Sequence, residues 1–258
     1  MIVTTAGRTN ENMIKLANKV AKDLLINFVE RRKRSIDEIQ AIVNEDVLVV
    51  GKNRLEIYPL HSNEPIFFHP NSSMFRIKRI MCGEIDPFIQ TCGLLKGSSI
   101  LDCTLGLGSD SITASYWVGQ TGRVVGVEGN QYIAYLVRRG LKTWKSDDQD
   151  INQAMERIEV IHSDYLSFLQ GCPTDGYDVV YFDPMFEESI DESDGISGIK
   201  QLALRSPLDI EVIEEAKRVA KYRVVMKDHW KSERFAQFGF SVIVRKTSKF
   251  HFGFIEMI

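Results

Sequence analysis

An open, twisted α/β sheet, largely parallel and covered by helices on both faces, is the fold class this sequence predicts. Three observations carry that expectation. From about Ile100, short and nearly continuous apolar runs alternate with longer stretches of helical period. Strands buried on both faces and joined by crossover helices give that rhythm. The composition, 44% hydrophobic against 26% charged, supplies an ordinary globular core for 258 residues. No apolar run approaches the ~20 residues that a membrane helix requires. The opening residues, Met1 to Asn12, lack the apolar stretch of a secretory signal. A cytoplasmic, membrane-free protein is expected. Four cysteines (Cys82, Cys92, Cys103, Cys172) include no Cys-x-x-Cys pair, so neither a zinc site nor a disulfide framework is expected.

Residues 1–70 read as a small α/β subdomain ahead of a larger domain over 71–258. In the first part, Met13 to Phe28 places Ile14, Ala17, Leu24, Leu25 and Phe28 close to helical period. Ser35 with Glu38 three residues later forms a capping-box signature for a second helix. Val47–Val50 and Leu55–Tyr58, separated by Gly51-Lys-Asn53, predict a hairpin. Ile66–Phe68 predicts a further short strand, stopped by His69-Pro70.

In the second part the expected strands are Ser99–Asp102, Val124–Glu128, Val160–Ile161, Asp178–Phe182, Val224–Met226 and Ser241–Val244. Helices are expected at Asp110–Gly119, Gln131–Trp144, Tyr165–Leu169 and Leu208–Ala220. The end, from Phe240 to Lys246 and then Phe250 to Ile255, reads as a hairpin-like finish. Ligands of such sheets bind beyond the carboxyl ends of the strands, which makes those ends the expected place for chemistry.

The first strand ends in Leu101-Asp102-Cys103-Thr104-Leu105-Gly106-Leu107-Gly108-Ser109-Asp110. Small residues between a strand and a helix let the backbone turn tightly, and the free N–H groups of the helix start face a ligand. A glycine loop alone is weak. The second strand, however, ends in Glu128, 20 residues after Gly108, where a carboxylate can accept from ribose hydroxyls. A dinucleotide site would want a third glycine where Ser111 stands, which leaves an NAD-dependent oxidoreductase a poorer fit. Cys103 reads as a small buried filler. His162 reads as a polar residue at a strand end, since nothing near it in sequence forms a catalytic pair.

The fourth strand ends in Tyr181-Phe182-Asp183-Pro184-Met185-Phe186. An exocyclic amine on a base is planar, its lone pair delocalised into the ring. Asp183 and the Pro184 carbonyl can accept its two N–H bonds and aim the lone pair, while Phe186 stacks on a base displaced from its helix. Taken alone, Asp-Pro after a strand is also simply a turn. Lys227-Asp228-His229 and Lys249-Phe250-His251 are each open to substrate contact or, equally, to a plain place as strand-end polar residues, and neither pattern assigns a role.

Asp-x-Thr-x-Gly-x-Gly resembles the first motif of class I S-adenosylmethionine methyltransferases, with Thr104 in place of a glycine. Asp-Pro-Met-Phe resembles their amino-group motif. Together with Val127-Glu128 and Ile161-His-Ser-Asp164, these segments are similar to the RsmJ-like family of bacterial methyltransferases over residues 70–258. The resemblance implies a Rossmann-like class I methyltransferase fold with a seven-stranded, largely parallel sheet, and S-adenosyl-L-methionine as cofactor. It implies methylation of guanine N2 in small-subunit ribosomal RNA, without a metal. Asp102, Thr104, Gly106, Gly108, Ser109, Asp110, Glu128, Gly129, Ser163, Asp164 and Asp183 would form the cofactor side. Asp183, Pro184 and Phe186 would act on the acceptor, with Met185 beside them.

Charge distribution bears on that acceptor. Residues 1–100 carry a net +3 and residues 101–258 a net −6. Arg76 and Arg79 are the expected phosphate contacts if RNA is the substrate. Arg31–Arg34 is a second basic cluster, whose charge patterning reads as a solvated face ahead of a phosphate contact. Five acids among residues 187–194 repel phosphates. Methylation of a protein or small-molecule amine therefore stays open, as does a nucleoside-binding module without turnover.

Overall fold

A computed structural model describes residues 1–60, 62, 64–184 and 208–257. Met185, Phe186 and the acids of 187–194 lie outside the described residues. Two compact units are present, Met1–His69 and a larger one from Pro70 onward.

In the first unit, β1 (Ile2–Thr5) leads into α1 (Glu11–Leu24) and β2 (Asn27–Phe28). The Asn10 side chain caps α1 by accepting from the Met13 N–H. Met13, Ala17, Val20 and Leu24 form the buried stripe of this helix. It stops short of the predicted Phe28 because Leu25 takes a left-handed conformation, φ 55°, and points into solvent. α2 (Ile36–Val43) carries the expected capping box: Glu38 N–H donates to Ser35 Oγ at 3.1 Å, and Ser35 N–H to Glu38 Oε2 at 2.6 Å. The hairpin of β3 (Val47–Val50) and β4 (Leu55–Tyr58) follows, then β5 (Ile66–Phe67), giving the order β2-β1-β3-β4-β5. Of the basic cluster, Arg31 and Arg34 donate to backbone carbonyls of their own turn, which marks them as structural groups.

The second unit opens with two helices that periodicity did not reveal, α3 (Asn71–Met81) and α4 (Pro87–Cys92). Only Ser73 and Ile77 of α3 are buried, so it has no apolar stripe to read. Then come β6 (Ser99–Asp102), α5 (Ser109–Val118), β7 (Arg123–Glu128), α6 (Gln131–Thr143), α7 (Gln149–Glu156) and β8 (Glu159–His162). They are followed by α8 (Tyr165–Gly171), β9 (Tyr177–Phe182), α9 (Ile210–Val219), β10 (Ala220–His229), α10 (Arg234–Gln237), β11 (Ser241–Ile243) and β12 (Phe250–Glu256). The sheet order is β11-β12-β10-β9-β6-β7-β8. β8, β7, β6, β9 and β10 are mutually parallel, whereas β12 runs antiparallel between β10 and β11. The finish is thus a hairpin whose second strand inserts into the sheet. Leu101, Val125, Val180, Phe182, Val224 and Met226 join Val212, Ile213 and Ala216 of α9 in one buried core.

Connections from β6 lead toward β8 on one side, and β9 with its successors lies on the other. The topological switch point therefore falls between β6 and β9. Asp102 and Asp183 end or follow those two strands.

Candidate active site

After Asp102 the chain turns through Cys103–Gly108 into α5, using left-handed backbone at Gly106 (φ 50°) and Gly108 (φ 79°). Leu105 folds back over β7. Its N–H donates to the Val127 carbonyl at 3.0 Å, and its side chain fills the space that a Cβ on Gly126 would take. Glu128 ends β7, accepting from Gly106 N–H at 3.1 Å and Asn130 N–H at 2.9 Å. Burial holds its carboxyl above the ordinary range, against the pull of those N–H groups. Asp102 is buried beneath the loop, accepting from Thr104 N–H at 3.1 Å and Ser111 Oγ at 2.6 Å. Burial pushes this carboxyl up to about 7. Ser111, standing where a dinucleotide site would have glycine, thus satisfies the loop's acid.

Across the switch point, Asp183 N–H donates to Thr104 Oγ1 at 2.6 Å. A glycine at 104, the commoner residue of the resembling motif, has no such acceptor, so the departure ties the loop to the strand carrying Asp183. The Asp183 carboxylate accepts from Lys227 Nζ at 2.5 Å. That lysine also lies 3.6 Å from Asp110, which pairs with Arg76 and accepts from Tyr181 Oη at 2.9 Å. Arg76 in turn makes a two-pronged bond to Asp86, both contacts at 2.8 Å. Asp86, Arg76, Asp110, Lys227 and Asp183 form a chain of alternating charges, most of it withdrawn from solvent. Desolvation pushes the Asp183 carboxyl up while Lys227 pulls it down, the net direction being upward. Asp110 is likewise desolvated, but Lys227 and Arg76 hold it well below the usual range.

Other expected residues are dispersed around this centre. Asp164 is exposed and caps α8, accepting from Ser167 N–H at 3.0 Å. Ser163 N–H donates to the Glu128 carbonyl, which brings the ends of β7 and β8 together. His162 Nε2 lies 3.2 Å from the Gly129 carbonyl, in the strand-end role expected of it. Cys103 is buried and its thiol is raised by that burial, which suits a filler. Arg76 corrects an expectation: its guanidinium is spent on two carboxylates inside the protein and is not a surface phosphate contact. Arg79 is half exposed but paired with Glu84. Met185 and Phe186 lie outside the described residues.

Lys227 and Tyr181 stand in segments the sequence singles out, but without a role of their own. The available signal was register. β10 runs parallel to β9 with Met226 beside Phe182, so the next residue on each strand, Lys227 and Asp183, must meet.

A cofactor would enter a loop whose Ser109 Oγ is buried without a hydrogen-bond partner, beside glycines that leave backbone room and a carboxylate at the end of β7. Those features fit a nucleoside-bearing group. Among the described residues, no cluster of three or more His, Cys, Asp or Glu side chains is arranged to hold a metal ion. No helix among them is long and apolar enough to cross a membrane.

Fold and site together define a Rossmann-like enzyme of the class I methyltransferase kind. Residues 38–252 match the family described as "Putative SAM-dependent methyltransferase", and the chain belongs to it. It is an S-adenosylmethionine-dependent methyltransferase, with that cofactor as methyl donor. It is similar to YpiP of Bacillus subtilis, described as uncharacterized, at 46% identity over 99% of both chains. Similarity extends to ribosomal RNA small subunit methyltransferase J of Buchnera aphidicola, 25% identical over 79% of this chain and 85% of that one. The same enzyme of Acinetobacter baumannii is 31% identical over 54% of this chain and 53% of its own length. Among solved structures, a SAM-dependent methyltransferase from Neisseria gonorrhoeae superposes with a TM-score of 0.63 at 15% identity, covering 99% and 96% of the two chains.

Proposed function

We propose that this methyltransferase acts on the exocyclic amino group of a base in RNA, guanine N2 of cytosolic ribosomal RNA above all. One observation carries this: Asp183-Pro184 follows β9 at the switch point, its backbone fixed by Thr104 and its carboxylate anchored by Lys227. The likeness to ribosomal RNA methyltransferase J supports the same acceptor.

Glu128 would hold the ribose of the cofactor, Ser109 and the Gly106–Gly108 backbone its amino-acid end, and Ser163-Asp164 the adenine edge, with Gly129 alongside. Asp102 would act from beneath, through Thr104 and Ser111. The bound cofactor supplies a methyl group activated on a sulfonium. The chain's own part is positional. Asp183 and the Pro184 carbonyl accept the two amine N–H bonds, turning the lone pair out of conjugation. As the nitrogen gains positive charge, the ionised Asp183 stabilises it and stands ready to take the released proton. Phe186 would stack on the base, with Met185 beside it. An aligned geometry of this kind is worth ~7–11 kcal/mol of barrier.

Mass mapping of ribosomal RNA from cells with and without the protein tests the acceptor. A methylated guanosine lost with the protein and restored by purified enzyme is the expected result. Unchanged RNA, with radiolabel from the cofactor appearing in the protein fraction, would move the acceptor to a protein amine.

A further inference from the structure

Beyond the strand ends that hold Asp183 and Lys227, the same edge of the sheet carries a second concentration of chemistry. Residues 101–258 are acidic overall, yet between Asp228 and Glu256 there are five Lys and Arg against a single acid, Glu233. The fold gathers most of them. The segment 244–249 joins β11 to β12 at the carboxyl ends of the parallel strands, because β12 runs antiparallel to β10. Trp230 N–H donates to the Lys249 carbonyl at 3.0 Å and ties that segment to the end of β10. Between them lies an open groove of about 420 Å³ lined by Trp230, Arg245, Lys246, Lys249 and His251 among others. Trp230 is 51% exposed. Lys231 lies over its ring at 5.1 Å. Arg234 does not belong to this surface, since it is bound to the buried Asp228.

The groove lies close to the catalytic residues. Lys227, which anchors Asp183, also lies 5.8 Å over the ring of Phe250, the residue after Lys249. Trp230 follows Lys227 by three positions, about 10 Å along an extended strand. From this placement we infer that the groove docks the single-stranded RNA flanking the target nucleotide, with phosphates on Arg245 and Lys246 and an unstacked base on Trp230. Basic side chains interleaved with an exposed aromatic suit such a strand, because phosphates need cations and every base offers a face to stack. This surface takes the part that the sequence alone assigned to Arg76 and Arg79, whose guanidiniums are already paired. The inference rests on the RNA reading of the active site.

The test uses the full chain and fluorescently labelled single-stranded RNA, titrated between 50 and 200 mM salt, alongside S-adenosylhomocysteine titration and methyl transfer to ribosomal RNA. For single strands each phosphate contact contributes about 0.7 to the slope of log affinity against log salt. Arg245→Ala and Lys246→Ala combined should flatten that slope by about 1.4. Trp230→Ala should weaken RNA binding roughly 5- to 150-fold, the equivalent of ~1–3 kcal/mol for a stacked base. Lys246→Glu alone, on an exposed side chain, should weaken it in the same direction. S-adenosylhomocysteine affinity should be unchanged in all of them. If the wild type binds and methylates RNA but these variants keep its slope and affinity, the groove is not the docking surface and the reading of the active site stands. If the wild type neither binds nor methylates RNA, both fall together.

Discussion

Arg76 shows how far a residue's sequence context can mislead. In sequence it is one of three cations in four residues, the composition of a nucleic-acid patch. In the structure it joins α3 to the carboxylates of Asp86 and Asp110, with 19% of its side chain exposed. Removing one partner from a buried pair leaves the others uncompensated, at a cost of ~3–5 kcal/mol. Arg76→Met should therefore lower the unfolding free energy by about that much in denaturant titrations. A near-neutral effect would show that water compensates the two acids. Lys227 makes the opposite case, unremarkable in sequence and central in space. It faces Asp183 and Asp110, with Arg76 beyond, while Asp183 also senses the charges of Asp110 and Asp228. Burial raises the Asp183 carboxyl and Lys227 counters it, so Lys227→Met should raise it further. A carboxylate required in ionised form gives activity that disappears as pH falls through its pKa. In single-turnover methyl transfer, the acid limb of Lys227→Met should move to higher pH, and Lys227→Arg should move it back. A lysine needed only for folding would lower the rate without moving the limb. Asp183→Ala should cost about two to four orders of magnitude in turnover, as expected when a positioning group at the reacting centre is lost. Near wild-type turnover would reduce the motif to a turn.

Elements were legible in proportion to the regularity of their burial. β6, β7 and β9 are buried along most of their length and read as apolar runs. α1, α6 and α9 keep one buried face and read as helices. α3 and α7 did not. α7 buries Asn152 as well as Ile151, Ala154 and Met155, and a polar residue on the buried face erases the pattern. The insertion of β12 between β10 and β11 could not be read either, because a hairpin signature fixes which strands pair but not which of them lies at the edge. The turn from β6 into α5 was legible as a ligand loop, but its internal support was not. Asp102 and Ser111 are nine residues apart and meet only because the loop closes over them. That support has a pH signature. The Asp102 carboxyl stands near 7 when folded, against an ordinary 3.8, because burial penalises its charge. Between those values the folded state binds the extra proton, so stability falls as pH rises from about 4 to about 7 and is level above. Asp102→Asn keeps an acceptor for Thr104 N–H and a partner for the Ser111 hydroxyl, and it cannot ionise. Its melting temperature should gain on the wild type as pH rises from 5 to 8. Parallel curves would mean that Asp102 is charged throughout.

At the scale of the whole molecule, the larger unit holds every group placed in the site, and the unit Met1–His69 holds none. The sequence already suggested this, since the four motifs all follow residue 100. It offered no role for the smaller sheet, whose residues pair and pack without presenting a chemical pattern. A ligand that binds only the folded state stabilises it by RT ln(1 + [L]/Kd), about 2.7 kcal/mol at a hundredfold excess over Kd. For a unit of this size, 1 kcal/mol moves the midpoint by roughly 2–4 °C, so S-adenosylhomocysteine at that excess should raise it by roughly 5–10 °C. Amide hydrogen exchange locates the effect. Slowed exchange is expected in peptides covering Cys103–Asp110, Glu128–Asn130 and His162–Tyr165, because these backbone groups lie at the strand ends that would enclose the cofactor. Peptides from Met1–His69 should change less, since every group placed in the cofactor site belongs to the larger unit. NAD at the same concentration should produce neither change, because Ser111 stands in place of the third glycine that a dinucleotide loop requires and its hydroxyl is held by Asp102. Protection by NAD equal to that by S-adenosylhomocysteine, or protection centred on Met1–His69, would overturn the placement of the cofactor at the β6–α5 turn.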